Sequence, residues 1–94
     1  MIRGGKGNRI EFSAIYPNPA KDVLKLGIYS PASQNLHIII TDISGRIVNQ
    51  LNLLANTGDN QLNINVDALK SGTYLIKATC NNGCEAAVQK FLKQ

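Results

Sequence analysis

Two cysteines, a single histidine and six acidic residues are the side chains in this 94-residue chain with types suited to chemistry. Cys80 and Cys84 are separated by Asn81, Asn82 and Gly83. Two thiols cannot complete a four-ligand zinc site within one chain, and no histidine stands near them in sequence. A tight hairpin through Asn82 and Gly83 would bring their Cα atoms to the roughly 5.5–6 Å that a disulfide prefers. They read as a structural staple closed in an oxidising compartment, with a pair of reduced, buried thiols as the alternative. His37 sits between Leu36 and Ile38 on the outward side of a strand pattern. A triad needs a base beside an activated nucleophile and an orienting acid, and nothing in the sequence links His37 to a serine or to Asp42.

The acidic residues fall at turns, where Asp22, Asp42, Asp59 and Asp67 have ordinary work in bonding backbone amides. No glycine-rich loop opens a helix, so no phosphate cradle is predicted. No EF-hand loop exists, and Asp59 beside Asn60 is the only surface candidate for calcium. The chain is therefore expected to have no catalytic site, no cofactor and no bound metal.

Charge narrows the partners further. The formal net charge is +4, but Arg3, Lys6 and Arg9 supply three of the ten basic residues before any apolar pattern begins. The remainder carries seven basic against six acidic side chains. Nucleic-acid surfaces draw their affinity from clustered Lys and Arg, and this near-neutral remainder argues against one. The apolar fraction is 44%, and no apolar run approaches the roughly 18 residues of a membrane-spanning helix. Residues 1–9, with Gly4, Gly5, Gly7 and Asn8, read as a flexible tether without the apolar stretch of a signal peptide. Residues 10–94 read as one domain.

These side chains would be carried on strands. Leu24, Leu26 and Ile28 alternate with Lys25 and Gly27; Leu36, Ile38 and Ile40 alternate with His37, Ile39 and Thr41; Leu62, Ile64 and Val66 alternate with Asn63 and Asn65. Period-two alternation marks strands with one wet face. Seven strands are predicted near Phe12 to Tyr16, Val23 to Tyr29, Gln34 to Thr41, Arg46 to Leu53, Asn60 to Val66, Thr73 to Cys80 and Glu85 to Lys93. Pro17 and Pro19 end the first, and Gly45 supplies the positive φ of a bulged hairpin. Asp67 to Ser71 is expected to form one helical turn, with Asp67 as its N-cap. The order Leu69, Gly72, Tyr74 fits a tyrosine corner, in which the ring packs inside and its hydroxyl bonds backbone upstream. The fold class expected is an all-β, seven-stranded, immunoglobulin-like Greek-key sandwich.

Five short segments then carry a family likeness: Tyr16-Pro17-Asn18-Pro19-Ala20, Asp22-Val23-Leu24, Asp42-Ile43-Ser44-Gly45-Arg46, Leu69-Lys70-Ser71-Gly72-Thr73-Tyr74 and Lys90-Phe91-Leu92-Lys93. In this order and spacing they resemble the C-terminal sorting domain of the type IX secretion system, over about Ala14 to Gln94. The resemblance implies a non-catalytic label behind a larger N-terminal cargo in Bacteroidetes-type bacteria. Such a protein crosses the periplasm and is guided through an outer-membrane translocon; a surface sortase then removes the domain upstream and attaches the cargo at the cell surface. Carried onto this sequence, it places translocon recognition at Lys90, Phe91, Leu92, Lys93 and Gln94, with Gly45 and Arg46, while Tyr16, Pro17, Asn18, Pro19, Asp42, Leu69, Gly72 and Tyr74 hold the fold. An edge strand bearing Lys90 and Lys93 suits docking by strand addition and charge, and equally suits protection against aggregation. Cys80 and Cys84 depart from the family pattern. The alternative is an immunoglobulin- or fibronectin-like accessory or glycan-binding module of an extracellular enzyme or adhesin. The oligomeric state is not legible.

Overall fold

The computed structural model describes residues 9–80, 86 and 88–94. Seven strands form: β1 (Glu11–Tyr16), β2 (Val23–Ser30), β3 (Gln34–Asp42), β4 (Ile47–Ala55), β5 (Gly58–Asn65), β6 (Gly72–Cys80) and β7 (Gln89–Lys93). They make two antiparallel sheets, one ordered β1-β2-β5 and the other β4-β3-β6-β7. The alternation read from the sequence is the physical cause. On β2, Leu24, Leu26 and Ile28 are buried; on β3, Leu36, Ile38 and Ile40; on β6, Tyr74, Ile76, Ala78 and Cys80. The inward rows of both sheets meet in one apolar cluster that also takes in Ile64, Val66 and Phe91.

The chain changes sheet three times, and each corner is fastened by a side chain. Between β2 and β3, the buried Ser30 hydroxyl donates to the Ala32 carbonyl (2.6 Å) and accepts from Gln34 Nε2 (3.0 Å). Between β4 and β5, Asn60 Oδ1 accepts the Asn56 amide (2.9 Å) while its Nδ2 donates to the carbonyls of Asn56 (2.9 Å) and Gly58 (3.1 Å). Between β5 and β6, Asn65 Oδ1 accepts the Asp67 amide (2.9 Å), and the Tyr74 hydroxyl donates to the Lys70 carbonyl (2.6 Å). Short crossings leave backbone groups without sheet partners, and these polar side chains supply partners locally.

Two expectations are corrected. Residues 67–71 do not form a helical turn capped by Asp67: the Leu69 amide closes one turn on the Val66 carbonyl (3.0 Å) and goes no further. The acceptor at its entry is Asn65, because an Asn side chain reaches the amide two residues on. The last strand begins at Gln89 rather than Glu85. Ala86 is buried and its amide donates to the Ala78 carbonyl (2.9 Å), whereas residues 81–85 and 87, including the predicted Asn82-Gly83 turn, lie outside the described residues. Ile10, just ahead of β1, is fully buried. Strand β1 also carries a bulge between Phe12 and Ala14. A Cβ on Gly27 would stand 2.6 Å from Ser13 Oγ, so the bulge and the glycine opposite it go together.

Tyr74 and Phe91 lie side by side at the core, ring centroids 5.7 Å apart. Replacing Phe91, with no accessible surface, by Ala should lower the unfolding free energy by about 3–5 kcal/mol. Tyr74→Phe keeps the ring and removes the corner hydroxyl, and should cost about 1 kcal/mol. Urea denaturation of both variants tests the ranking; an equal loss would mean that the corner bond carries more than a hydrogen bond's worth.

Candidate functional site

The five segments singled out in the sequence converge on one end of the sandwich. Strand pairing makes this inevitable: β1 ends where β2 begins and β5 ends, with Tyr16 opposite Lys25 and Val23 opposite Asn65. In the other sheet β3 ends where β4 and β6 begin and β7 ends: Thr41 faces Ile47, Asp42 faces Tyr74, and Gly72 faces Lys93. Asp42, Tyr74 and Phe91 stand in a single row across three strands. The start of β1, and with it Arg9, lies at the opposite pole, where Glu11 pairs with Tyr29 at the far end of β2. At about 3.3 Å per residue, β6 with its nine residues spans about 26 Å between the poles.

The C-terminal strand is held along both edges. One edge pairs with β6. Along the other, the Leu92 amide donates to Asn18 Oδ1 (2.8 Å), the Ala20 amide to the Leu92 carbonyl (2.7 Å), and the Gln94 amide to the Ala20 carbonyl (2.7 Å). Ala20 and Lys93 thus form a short parallel bridge. The Tyr16-Pro17 and Asn18-Pro19 peptides are both cis. Ala20 is wholly buried against this strand end. The proline-flanked segment is therefore a clasp on the last strand, a role the sequence reading missed. Its signal was there: prolines on either side of Asn18 keep the segment out of a regular ladder, and an Asn side chain offers an acceptor in place of one.

This changes what β7 can do. It is the edge strand of its sheet, as expected, but its outer edge at Leu92 and Gln94 is already bonded within the chain, so strand addition there would have to displace Asn18 and Ala20. Phe91 is buried and acts as the strand's anchor. Lys90 and Gln94 are exposed, Leu92 is 42% exposed, and Lys93 is half-buried with its Nζ donating to the Gln94 carbonyl (3.2 Å).

The β3–β4 hairpin presents the other predicted pair. Asp42 Oδ1 accepts from the Ser44 amide (3.0 Å), the Ser44 hydroxyl (2.6 Å) and the Arg46 amide (3.0 Å). The Gly45 amide donates to the Asp42 carbonyl (3.0 Å) at a φ of 95°, a conformation that disfavours any side chain. Asp42 Oδ2 meets Arg46 Nε at 3.3 Å, and the Arg46 side chain remains 78% exposed, aimed from a rigid turn. The Ser44 hydroxyl, with help from the two amides and the Arg46 charge, holds the Asp42 carboxyl below its ordinary range.

The remaining candidates are not drawn together. His37 Nε2 lies 3.0 Å from Gln50 Oε1 across β3 and β4, a strand-face pair. Asn60 is occupied by its own turn, and among the described residues no three His, Cys, Asp or Glu side chains come close enough to hold a metal. Tyr74 is buried, whereas Tyr16 is 43% exposed with Lys25 Nζ 6.0 Å from its ring centroid. Cys80, the last residue of β6, is buried and is not a free thiol. Cys84 lies outside the described residues.

Residues 14–94 match the family model described as "Secretion system C-terminal sorting domain". No curated protein matches the chain. Among solved structures, the crystal structure of a β-glucosidase from Kluyveromyces marxianus is similar, with a TM-score of 0.56 at 11% identity. The likeness covers 92% of this chain and 14% of that one, so the chain corresponds to a small part of the larger protein, and at this identity the fold alone is shared.

Two predictions rest on the site's geometry. In Asn18→Ala the Leu92 amide loses its acceptor, so its hydrogen exchange should speed up well ahead of the amides in the centre of β3; unchanged protection of Leu92 would mean the clasp does not hold the strand. For Asp42, a folded pKa below the ordinary 3.8 means stability that is fully present above that pH and is lost as pH falls through the lower folded value. Asp42→Asn should therefore be less stable than the parent at neutral pH, with the gap closing in acid below 3.8, measured by thermal unfolding across pH.

Proposed function

We propose the function of this chain from its family: it belongs to the secretion system C-terminal sorting domains. The domain acts by being recognised. It marks a cargo attached ahead of it for export to the cell surface or beyond, through the type IX outer-membrane translocon, after passage through the periplasm. A surface sortase then separates it from the cargo upstream and attaches the cargo at the surface.

The observation that carries this reading is the gathering of the motif residues at one pole, with the N-terminal joint at the other. A label must be read while the cargo is attached, and here the strand ends that bear Arg46, Lys90, Lys93 and Gln94 point away from where a cargo would join. Recognition falls on that pole: Arg46 on its Gly45 turn, and Lys90, Leu92, Lys93 and Gln94 on the clasped strand, with Phe91 acting from beneath. Exposed cations on rigid backbone suit a docking site, because charge steers encounter while little conformational freedom is lost on binding. In this reading the domain works by recognition and without catalysis of its own. The sandwich topology is of the immunoglobulin-like Greek-key kind, with Cys80 paired to Cys84 in the oxidising space outside the inner membrane. Such a short loop would add about 2 kcal/mol on the chain-entropy model.

A reporter directed to the periplasm and followed by residues 10–94 should reach the surface of a type IX competent host, measured by protease accessibility on intact cells. Removing Lys90 to Gln94 should hold it in the periplasm. Retention of the intact fusion, with the domain folded, would overturn the reading; export of the shortened one would move recognition to the Gly45–Arg46 turn.

A further inference from the structure

The outer face of the four-stranded sheet carries a second pattern that the family motifs do not account for. Its outward rows run across the strands: Ile47 faces Thr41, which faces Leu75, which faces Lys90; Ile39 faces Lys77 in the adjoining row. Neighbouring strands lie about 4.8 Å apart, so these side chains form one continuous surface. Ile39, Thr41, Leu75, Lys77 and Val88 line a shallow depression of about 170 Å³. At its borders Ile47 is 50% exposed and Val88 51%, with Leu92 and Lys90 adjoining on β7. On an outward face that is ordinarily polar, branched apolar side chains on four strands (Ile47, Ile39, Leu75 and Leu92) stand among Thr41, Lys77 and Lys90.

The charges on this surface have one sign. Lys77 and Lys90 rise from it. Among the described residues no carboxylate stands on it: Glu11 and Asp59 belong to the other sheet, Asp22 and Asp67 to loops, and Asp42, at the end of β3, is turned into its own hairpin. We propose that this face is a docking surface for a partner protein of the export machinery, one that presents apolar side chains flanked by carboxylates. The proposal rests on the sorting function and deepens it, by extending recognition from the strand end to the face beside it. Charge selects this occupant over two others. A second copy of the chain would set lysine against lysine in an isologous pair, at a like-charge cost. An anionic lipid surface would need more than the single net positive charge that remains once Arg3, Lys6 and Arg9 are set aside.

The test uses the full chain behind a periplasm-directed reporter, in the type IX competent host. The variants are Lys77→Glu, Leu75→Asp, Lys77→Arg, and Lys25→Glu on the opposite sheet as control. Melting of each purified domain checks that it is folded. The charge reversal and Leu75→Asp should each lower surface reporter about tenfold or more, as like-charge contacts do at interfaces, while Lys77→Arg and the control match the parent. A folded charge-reversal variant exported like the parent overturns this surface alone. Failure of the parent itself overturns the sorting function and this surface with it. Sedimentation of the purified chain as a dimer that Leu75→Asp dissolves would assign the face to a second copy and overturn the proposal, as would loss of binding of the purified chain to anionic phospholipid vesicles in the same variant.

Discussion

The last strand of this domain is held from both sides, and much else in the fold follows from that. A five-residue strand at a sheet edge, close to the end of a domain, is the element most prone to fray. Pairing with β6 secures one edge and the buried Phe91 pins the strand from below. The three hydrogen bonds from Asn18 and Ala20 secure the other edge and tie it to the opposite sheet. The clasp thus joins residues more than seventy positions apart, and it works only once both sheets have packed. The arrangement of the strand end is a readout of the completed fold.

This bears on how such a label could be selective. A linear peptide of Lys, Phe, Leu and Lys would be exposed in any unfolded chain. Held in the clasp, Phe91 is hidden while Lys90, Leu92 and Gln94 are displayed in a fixed order, beside the equally fixed Arg46 turn. A partner that reads these positions reads a folded domain. The same bonds occupy the Leu92 edge that an added strand would use, so strand addition there would have to displace them, and the edge is guarded against aggregation by the same means.

How much was legible in the sequence follows from the range of the forces involved. The strands of the core, β2, β3 and β6, were plain because burial on one face imposes a period of two that survives in the residue order. The tyrosine corner and the Gly45 turn were readable because each closes within five residues. The segment at 67–71 misled because Asp is a good N-cap in isolation, whereas the Leu69 amide that such a cap would bond is taken by the Val66 carbonyl. The last strand was ambiguous because Ala86, Val88 and Leu92 favour one face while Ala87 and Phe91 favour the other; only packing against Tyr74 decides that Phe91 turns inward. The clasp was legible only in part: the prolines mark Asn18 as off the ladder, but nothing local to it says that its acceptor serves Leu92. The outer face of β6 and β7 was likewise hidden, since Ile39, Leu75 and Val88 become neighbours only through strand order.

The central claim is that the sorting signal is the clasped pole as a folded object. The measurement that tests it most directly is export of a reporter across a graded series of clasp variants, Asn18→Asp, Asn18→Ser and Asn18→Ala, set against hydrogen exchange of the Leu92 amide in each at closely matched overall stability. Export that declines in step with Leu92 protection is the result the account predicts. Export that stays at the parent level while Leu92 exchanges freely would contradict it, and would make the residues of the last strand sufficient as a linear signal.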